Sequence, residues 1–476
     1  MLSFSDYPTA ERAFRFFEEI SKIPHVSFHT DKLADYLEAF ARERGLFCVR
    51  DKANNVLIRK GASAGYESHP TVVFQGHIDM VPEHLPEKKI DMETEPITLV
   101  RDGDLLRADG TTLGGDDGVA VAYALAILDD DSLAHPEFEA LFTSEEEVGL
   151  LGATALDPTP IRGRVMINID SDDEGVFTVG CAGGARVDLS LGACKEHATG
   201  TAFRVKIGGL AGGHSGAEID KGRENAILLL WHILAAVRAR GSVRIASALG
   251  GNADNAIPRN AECVFFAEGA DLEEIDAICK ESLTNIREKE PGATIKAEKV
   301  SDIKDAYSSS DTDRFLSLLC RVPNGVQAMS QAIAGLVETS LNLGMLDTEN
   351  GFHITHSVRS SKEEEKDALI ATLRRLATDV GGTASVRGEY PAWEYREDSP
   401  LRDLLCRLFR EMYGKEAKVL VIHAGLECGI LSSKLPGLDC VSLGPDNFDI
   451  HTTEEHLSIP SFVRVYKYLL RVLAAL

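Results

Sequence analysis

Residues 71–79 read TVVFQGHID, and residues 111–128 read TTLGGDDGVAVAYALAIL. The first stretch is a compact apolar run, typical of a buried strand, that ends at Gly76 and passes directly into polar residues. The second stretch passes through glycines and acids into small apolar residues after Gly118, which predicts a helix that packs closely on a sheet. A buried strand followed by such a helix is typical of an α/β domain.

The same texture continues on both sides of these stretches. Apolar residues at helical spacing predict helices within 6–22 and 31–44, and further buried strands are predicted at 138–143 and 165–170. We therefore expect an α/β fold whose mainly parallel sheet is flanked by helices.

The middle of the chain has a different texture. Between residues 187 and 390, strands with alternating patterns are interleaved with amphipathic helices, which predicts an inserted α+β domain. The first texture returns near the end of the chain. The predicted division is an α/β domain split between 1–186 and 391–476, with an inserted α+β domain at 187–390.

The composition excludes several classes of protein. Of the 476 residues, 26% are charged, and the formal net charge of −25 argues against binding to nucleic acid or to an anionic membrane. The nine cysteines are odd in number and form no CxxC pair, which argues against a disulfide framework and against a thiolate zinc site. No apolar run approaches 18 residues, and no basic start followed by an apolar core opens the chain, so we expect a cytoplasmic protein.

Polar residues of the kinds that bind metals follow the predicted strands directly. In an open α/β sheet the carboxyl ends of the strands meet at one edge, so residues distant in sequence can converge there. Histidine and carboxylate donors without cysteine suit zinc, manganese or cobalt. The residues are His77 and Asp79, Asp116 and Asp117, Glu145 to Glu147, Asp170, and His451.

Each of these groups also has an ordinary structural interpretation. A His-x-Asp sequence is commonly a hydrogen-bonded pair in a core, a run of glutamates is commonly a solvated turn, and an Asp-Asp-Gly sequence can cap a helix. Their conjunction at strand ends of one domain nevertheless favours a site for two metal ions, with one bridging carboxylate and a free carboxylate to accept a proton from water.

The motifs resemble those of a family of di-metal peptidases that contains aminoacylases, carnosinases, succinyl-diaminopimelate desuccinylase and bacterial dipeptidases. The resemblance covers essentially the whole chain. It rests on GHIDMVPE (76–83), TTLGGDDGVAVAYALAIL (111–128), SEEEVGLLGA (144–153), INIDSDDEG (167–175), GCAGGARVDL (180–189), GGHSGAEI (212–219), DNAIPR (254–259) and IHAGLECGIL (422–431).

The resemblance implies two divalent metal ions, most readily zinc, with manganese or cobalt as alternatives. It places the first ion on His77, Asp116 and Asp170. It places the second on Asp116, Glu147 and His451, so that Asp116 bridges the two.

The resemblance also assigns roles beside the metals. It makes Glu146 the general base and Asp79 the carboxylate that orients the His77 imidazole. It implies a cis peptide bond between Asp116 and Asp117. Asp117 is itself a departure, because related proteins often have Asn there. Glu145 extends the acidic pair to a triplet, and the pair directly before Val148 fits the motif best.

The resemblance makes the split domain (1–186 and 391–476) the catalytic, metal-binding domain and the insertion (187–390) a lid domain. In the lid, it makes His214 the donor to the oxyanion of the reaction. Asn255 and Arg359 match positions that hold the carboxylate terminus of the substrate. Smaller relatives form dimers through this region, and here both a monomer and a homodimer stay open.

The expected activity is metal-dependent hydrolysis of unblocked dipeptides, including those that end in histidine. The same ligands would also serve an N-acyl amino acid deacylase or a carboxypeptidase. A non-catalytic metal-binding scaffold is a third alternative, although the presence of Glu146 beside a full ligand set argues against it.

Overall fold

The computed structural model describes residues 2–331, 333 and 335–476. The chain divides into two compact units. The first unit comprises Met1–Cys181, Trp393–Val421 and Leu426–Leu476, and the second comprises Ala182–Ala392 with Ile422–Gly425. The function of the second unit as a lid stays a prediction.

The first unit is built on a mixed sheet. In sheet order its strands are Phe47–Arg50, Val56–Lys60, Phe138–Thr143, Val72–His77, Val165–Asn168, Asp439–Ser442, Val176–Cys181 and Lys418–Ile422. The predicted α/β fold is confirmed, with one refinement. The four strands from Phe138–Thr143 to Asp439–Ser442 are parallel, whereas Phe47–Arg50, Val56–Lys60 and Val176–Cys181 join the sheet by antiparallel pairing. The sheet is therefore mixed and not mainly parallel as predicted. The strands Phe47–Arg50 and Val56–Lys60 are joined by a short turn, which permits only antiparallel pairing.

Helices pack on this sheet and on one another. They are Glu11–Ile20, Asp31–Glu43, Gly115–Leu128, Leu151–Ala155, Pro400–Tyr413, Glu427–Lys434 and Ile459–Leu473. The helix Gly115–Leu128 is buried around nearly its whole circumference, as its apolar sequence predicts. Its first residues are not helical, because Asp116 (φ −84°, ψ 104°) and Asp117 (φ −118°, ψ 37°) leave the helical region. The regular helix therefore begins near Gly118, as predicted.

In the first unit, a smaller sheet joins residues 99–108 to residues 447–458. In sheet order its strands are Asn447–Phe448, His456–Ser458, Leu105–Ala108 and Leu99–Asp102. The segment that carries His451 connects the first two of these strands, so this sheet fixes both ends of that segment.

The second unit has the predicted α+β composition. Its main sheet has the order Thr294–Val300, Ala202–Gly208, Ala261–Ala267, Val243–Gly250, Val337–Asp347, Phe352–Ser360, Gly183–Leu191 and Thr383–Tyr390, and Gly325–Met329 pairs with Val337–Asp347. Its helices are Ala226–Arg238, Leu272–Ile286, Ser309–Arg321 and Glu363–Asp379, with a 3-10 turn at Ile219–Lys221. Short strand pairs join Lys195–His197 to Asp305–Tyr307 and Gly213–His214 to Ala256–Ile257. Side chains from the sheet and the helices form a large apolar core, and smaller apolar clusters lie beside it.

Across the described residues, none of the helices combines the length and the apolar character needed to cross a bilayer. The cysteines are free thiols.

Candidate metal centre

His77, Asp116 and Asp170 come together at the carboxyl edge of the parallel strands. His77 ends the strand Val72–His77, and Asp170 follows the neighbouring strand Val165–Asn168. His77 Nε2 lies 3.0 Å from Asp116 Oδ1. One potential ligand atom from each of the three residues lies within 4.8 Å of the others. The oxygen Oδ2 of Asp170 is buried and makes no hydrogen bond to a described residue, so a carboxylate oxygen is left for another partner.

Asp116, Glu147 and His451 form a second group of the same size. His451 Nε2 lies 2.9 Å from Glu147 Oε1 and 3.3 Å from Asp116 Oδ2. Asp116 therefore belongs to both groups and directs one oxygen to each histidine. This is the arrangement expected of a carboxylate that bridges two metal ions.

The charges in the two groups are strongly coupled. Burial raises the pKa of Asp116, but the hydrogen bonds of His451 and His77 oppose it and the net effect is a lowered pKa. The hydrogen bonds of Asp116 and Glu147 raise the pKa of His451 to about 10. Two imidazoles and three carboxylates suit divalent zinc, manganese or cobalt, so the residues present fit a pair of such ions.

The side chain of Asp79 fixes the turn that carries the glutamates. Its Oδ1 accepts a hydrogen bond from the backbone N–H of Glu146 (2.9 Å), and its Oδ2 accepts from the N–H of Glu147 (3.3 Å) and from Ser27 Oγ (2.8 Å). At the His77 ring, the Asp79 carbonyl oxygen lies 2.9 Å from Nδ1 and the nearest Asp79 carboxylate oxygen lies 3.5 Å from it. Orientation of the His77 imidazole by the Asp79 carboxylate stays a prediction.

The three consecutive glutamates have distinct surroundings. The carboxylate of Glu145 accepts hydrogen bonds from the backbone N–H of Phe28 and from Thr30 Oγ1. Glu147 contacts His451, as described above. Burial raises the pKa of Glu146 to about 8; His77 opposes this shift, and the charges of Glu427, Asp116 and Glu147 add to it. Bound cations would oppose it too. The assignment of Glu146 as the general base stays a prediction.

Asp117 and Gly76 occupy a tightly packed position beneath the first group. The peptide bond between Asp116 and Asp117 is cis, as the resemblance implies. Asp117 accepts hydrogen bonds from the N–H groups of His77 (3.3 Å) and Ala120 (3.3 Å). A Cβ on Gly76 would lie 2.3 Å from Asp117 Oδ2 and from Ala120 Cβ, so only glycine fits there. Asp117 therefore supports the His77 backbone, although burial raises its pKa well above the usual range.

Sequence reasoning missed Glu455, a buried carboxylate that holds the turn before Asp116. Its oxygens accept hydrogen bonds from the backbone N–H groups of Leu113 (2.7 Å), Gly114 (3.1 Å), Gly115 (2.8 Å) and Asp116 (3.4 Å). Nothing local marks this residue, since its partners lie more than three hundred positions away in the chain. A second carboxylate that was not predicted is Glu427. It lies inside the IHAGLECGIL stretch (422–431), which contributes to the family resemblance, but the resemblance assigns this glutamate no role.

The second unit gathers the other predicted residues. His214 and Ala256 pair across two short strands, and the N–H of Ser215 donates to the carbonyl of Asn255 (2.8 Å), so His214 and Asn255 are neighbours. The N–H groups of Gly216 (3.2 Å) and Ala217 (3.0 Å) donate to Nδ1 of His214. Because Nδ1 accepts, the neutral ring carries its proton on Nε2, as a donor to an oxyanion must.

Arg359 lies in the same cluster as His214. A Cβ on Gly216 would lie 3.0 Å from His214 Cε1, 3.3 Å from Arg359 Nε and 2.3 Å from the carbonyl oxygen of His423. The guanidinium of Arg359 donates to Tyr390 Oη (3.2 Å), while its Nε is buried and makes no hydrogen bond to a described residue. Burial, followed by the charge of Arg359, lowers the pKa of His214.

His423 was not predicted, although it belongs to the same IHAGLECGIL stretch. Its Nε2 lies 2.7 Å from Ser340 Oγ. Burial lowers the pKa of His423 to about 4, and the charges of Arg359 and His214 act in the same direction. The cluster therefore combines one permanent cation with neutral imidazoles, which suits a carboxylate better than a cation.

Comparison with known proteins identifies the family. Residues 73–475 match the model of peptidase family M20/M25/M40. The chain is 36% identical over 452 residues to the cytosol non-specific dipeptidase of Escherichia coli, covering 94% of this chain and 93% of that protein. The crystal structure of aminoacylhistidine dipeptidase from Vibrio alginolyticus matches with a TM-score of 0.91 and 32% identity, covering 98% of this chain and 96% of that one.

A more distant structure, aminopeptidase PepT from Bacillus cereus, has a TM-score of 0.56 at 16% identity over 98% of each chain, and shows the shared fold alone. The chain therefore belongs to peptidase family M20/M25/M40 and is a peptide-bond hydrolase. The family resemblance read from the motifs is confirmed.

Proposed function

We propose that this member of the M20/M25/M40 family hydrolyses the peptide bond of unblocked dipeptides, including those that end in histidine, with two divalent metal ions. The dipeptidase names of the Escherichia coli and Vibrio alginolyticus proteins support the substrate class. The observation that carries the metal chemistry is the position of Asp116, whose two oxygens face two different histidines. Zinc is our first choice of metal, with manganese and cobalt as alternatives.

The ligands are assigned from the two groups. His77, Asp116 and Asp170 would hold one ion, and Asp116, Glu147 and His451 the other. Such a pair of ions supplies an acidified water and polarises the scissile carbonyl.

Glu146 would carry the proton through the reaction. Its carboxylate accepts a proton from the attacking water and then donates that proton to the nitrogen of the leaving amine, so that it ends the cycle ionised. The hydrogen bond from its backbone N–H to Asp79 keeps the turn fixed while the proton moves. A carboxyl group beside the proposed metal ligands suits both steps, because it can accept the proton and hold it until the amine leaves.

The second unit would supply the substrate contacts. Nε2–H of His214 would donate to the oxyanion, an interaction commonly worth a few kcal/mol. Arg359 would pair with the terminal carboxylate of the substrate, and the exposed Asn255 would add an amide contact. A cation that pairs with the terminal carboxylate would favour substrates that end in a free carboxylate and so would limit their length.

We further infer a cytosolic location, which is in keeping with the name of the Escherichia coli relative. A monomer and a homodimer both remain compatible with the residues assigned here.

A panel of substrates tests the proposal. The metal-free protein is reconstituted with zinc, manganese or cobalt and assayed with free dipeptides, a tripeptide, an N-acetyl amino acid and a dipeptide amide. We expect hydrolysis of free dipeptides above all others. Faster release of acetate from the N-acetyl amino acid would favour a deacylase, and faster removal of the last residue of the tripeptide would favour a carboxypeptidase. No turnover with any metal would favour a scaffold.

A further inference from the structure

Glu427 is a fully buried carboxylate that contacts the parallel strands just before they reach the metal ligands. It lies in the first turn of the helix Glu427–Lys434, in the part of the first unit that follows the insertion. Its Oε2 accepts hydrogen bonds from Gln75 Nε2 (2.7 Å) and from Thr143 Oγ1 (2.6 Å). Gln75 and Thr143 are both buried, so water from the solvent does not compete for these hydrogen bonds.

The hydrogen bonds of Glu427 belong to a larger buried network. Gln75 Nε2 also donates to Thr143 Oγ1 (3.0 Å), and Gln75 Oε1 accepts from Asn168 Nδ2 (2.7 Å). These contacts fix the orientation of both amides, because a carboxylate can only accept. The network therefore joins one residue from each of three neighbouring parallel strands.

Each strand in this network leads into a proposed functional residue. Gln75 comes two positions before His77, and Asn168 comes two positions before Asp170. Thr143 ends the strand that leads into the turn of the glutamates. A sliding or tilting of any of these strands would move a ligand out of place, and tolerances in such sites are well below 1 Å.

We propose that Glu427 is a positioning residue, which holds Gln75 and Thr143 and so aligns the ends of the three strands that carry the metal ligands and the general base. Within the described part of the chain, its side-chain hydrogen bonds go to Gln75 and Thr143 and to none of the proposed ligands. This proposal rests on the proposed function, because it presumes that the two ligand groups bind metal ions. A buried donor is costly when it loses its acceptor, so loss of the carboxylate would leave Gln75 Nε2 and Thr143 Oγ1 to find other partners by rearrangement.

Two substitutions separate hydrogen bonding from charge. Glu427→Gln keeps an oxygen that can accept from both Gln75 and Thr143, and places its amide nitrogen where the unpartnered Oε1 now lies. Glu427→Ala removes both acceptors. The matched control is Glu139→Ala, because Glu139 is equally buried on the same strand as Thr143 but bonds to Arg59 and to the N–H groups of Arg162 and Gly163 at the other end of that strand.

The experiment is calorimetric titration of zinc into each metal-free protein, together with kcat, KM and thermal unfolding. We expect Glu427→Ala to bind zinc at least tenfold more weakly and to lose kcat more than it raises KM. We expect Glu427→Gln to stay within about threefold of the parent in metal affinity. Glu139→Ala should lose stability while keeping the zinc affinity of the parent.

Several results would overturn the proposal. Parent-like zinc affinity and kcat in Glu427→Ala would show that the strand ends need no such residue, and equal loss in the Gln and Ala variants would assign the effect to charge. If Glu427→Ala does not fold, Thr143→Val is measured in its place. This change removes the hydroxyl that donates to Glu427 and nearly preserves the shape of the side chain, so it should weaken zinc binding in part. Failure of the parent itself to bind zinc, manganese or cobalt would instead refute the proposed two-metal function and this inference with it.

Discussion

His451 Nε2 lies 3.3 Å from Asp116 Oδ2, although the whole of the insertion separates these residues in the chain. The other oxygen of Asp116 faces His77. One carboxylate therefore belongs to both groups of potential metal ligands. Substitution of Asp116 and substitution of either histidine should therefore change the metal content by different amounts.

Elemental analysis of the reconstituted and dialysed protein should find two divalent ions. We expect His77→Ala and His451→Ala each to lose about one ion, and Asp116→Ala to lose both, because only Asp116 serves both groups. His84→Ala is the control, since that exposed histidine bonds only to a neighbouring carbonyl. Full retention of both ions in Asp116→Ala would contradict the shared carboxylate.

Glu146 and Glu147 should differ in what their substitution removes. Glu146→Gln deletes the proton acceptor and should abolish turnover with metal content intact. Glu147→Gln should weaken binding of one ion, because its oxygen contacts His451. Calorimetric metal titration beside steady-state kinetics distinguishes the two, and reversed phenotypes would shift the assignment by one residue.

Arg359 should be responsible for the preference for a free carboxylate. Arg359→Ala should lower kcat/KM for a dipeptide by an amount equivalent to about 2–5 kcal/mol, because a desolvated ion pair is lost. The same variant should discriminate little between a dipeptide and its amide, whereas the parent should prefer the acid. Arg359→Lys keeps the charge without the paired donors and should fall between the two. A parent enzyme that hydrolyses acid and amide equally would show that substrate length is measured elsewhere.

The stability of the second unit should depend on pH through His356. Burial lowers the pKa of this fully buried histidine from 6.5 to about 4. Between these values the unfolded chain binds a proton that the native state does not, so the free energy of unfolding falls as the pH falls, by up to about 3 kcal/mol for this group.

Unfolding by denaturant between pH 7 and pH 4 measures this dependence. His356→Leu should reduce the dependence of the free energy of unfolding on pH. The control is His353→Gln, because His353 is a partly exposed histidine on the same strand, and this variant should keep the pH dependence of the parent. An equally steep loss of stability in His356→Leu would assign the effect to other groups.

The sequence by itself determined the family, the α/β fold and the residues available for the metal site. These depend on local patterns. A continuous run of apolar residues predicts a buried strand, and His77, Asp116 and Asp170 lie directly beside such patterns. The edge of a parallel sheet then brings them together by topology, so their convergence could be expected before the structure was known.

The tertiary structure alone decided which side chains support these ligands. Glu427 and Glu455 act on partners hundreds of residues away, and the Asp79 carboxylate also accepts hydrogen bonds from the glutamate turn, which the sequence did not indicate. A hydrogen bond depends on direction and on distances of a few tenths of an ångström, and periodicity along a chain carries neither. The sequence therefore specifies which donors lie at the sheet edge, whereas the packing of the folded chain decides which atoms hold them there.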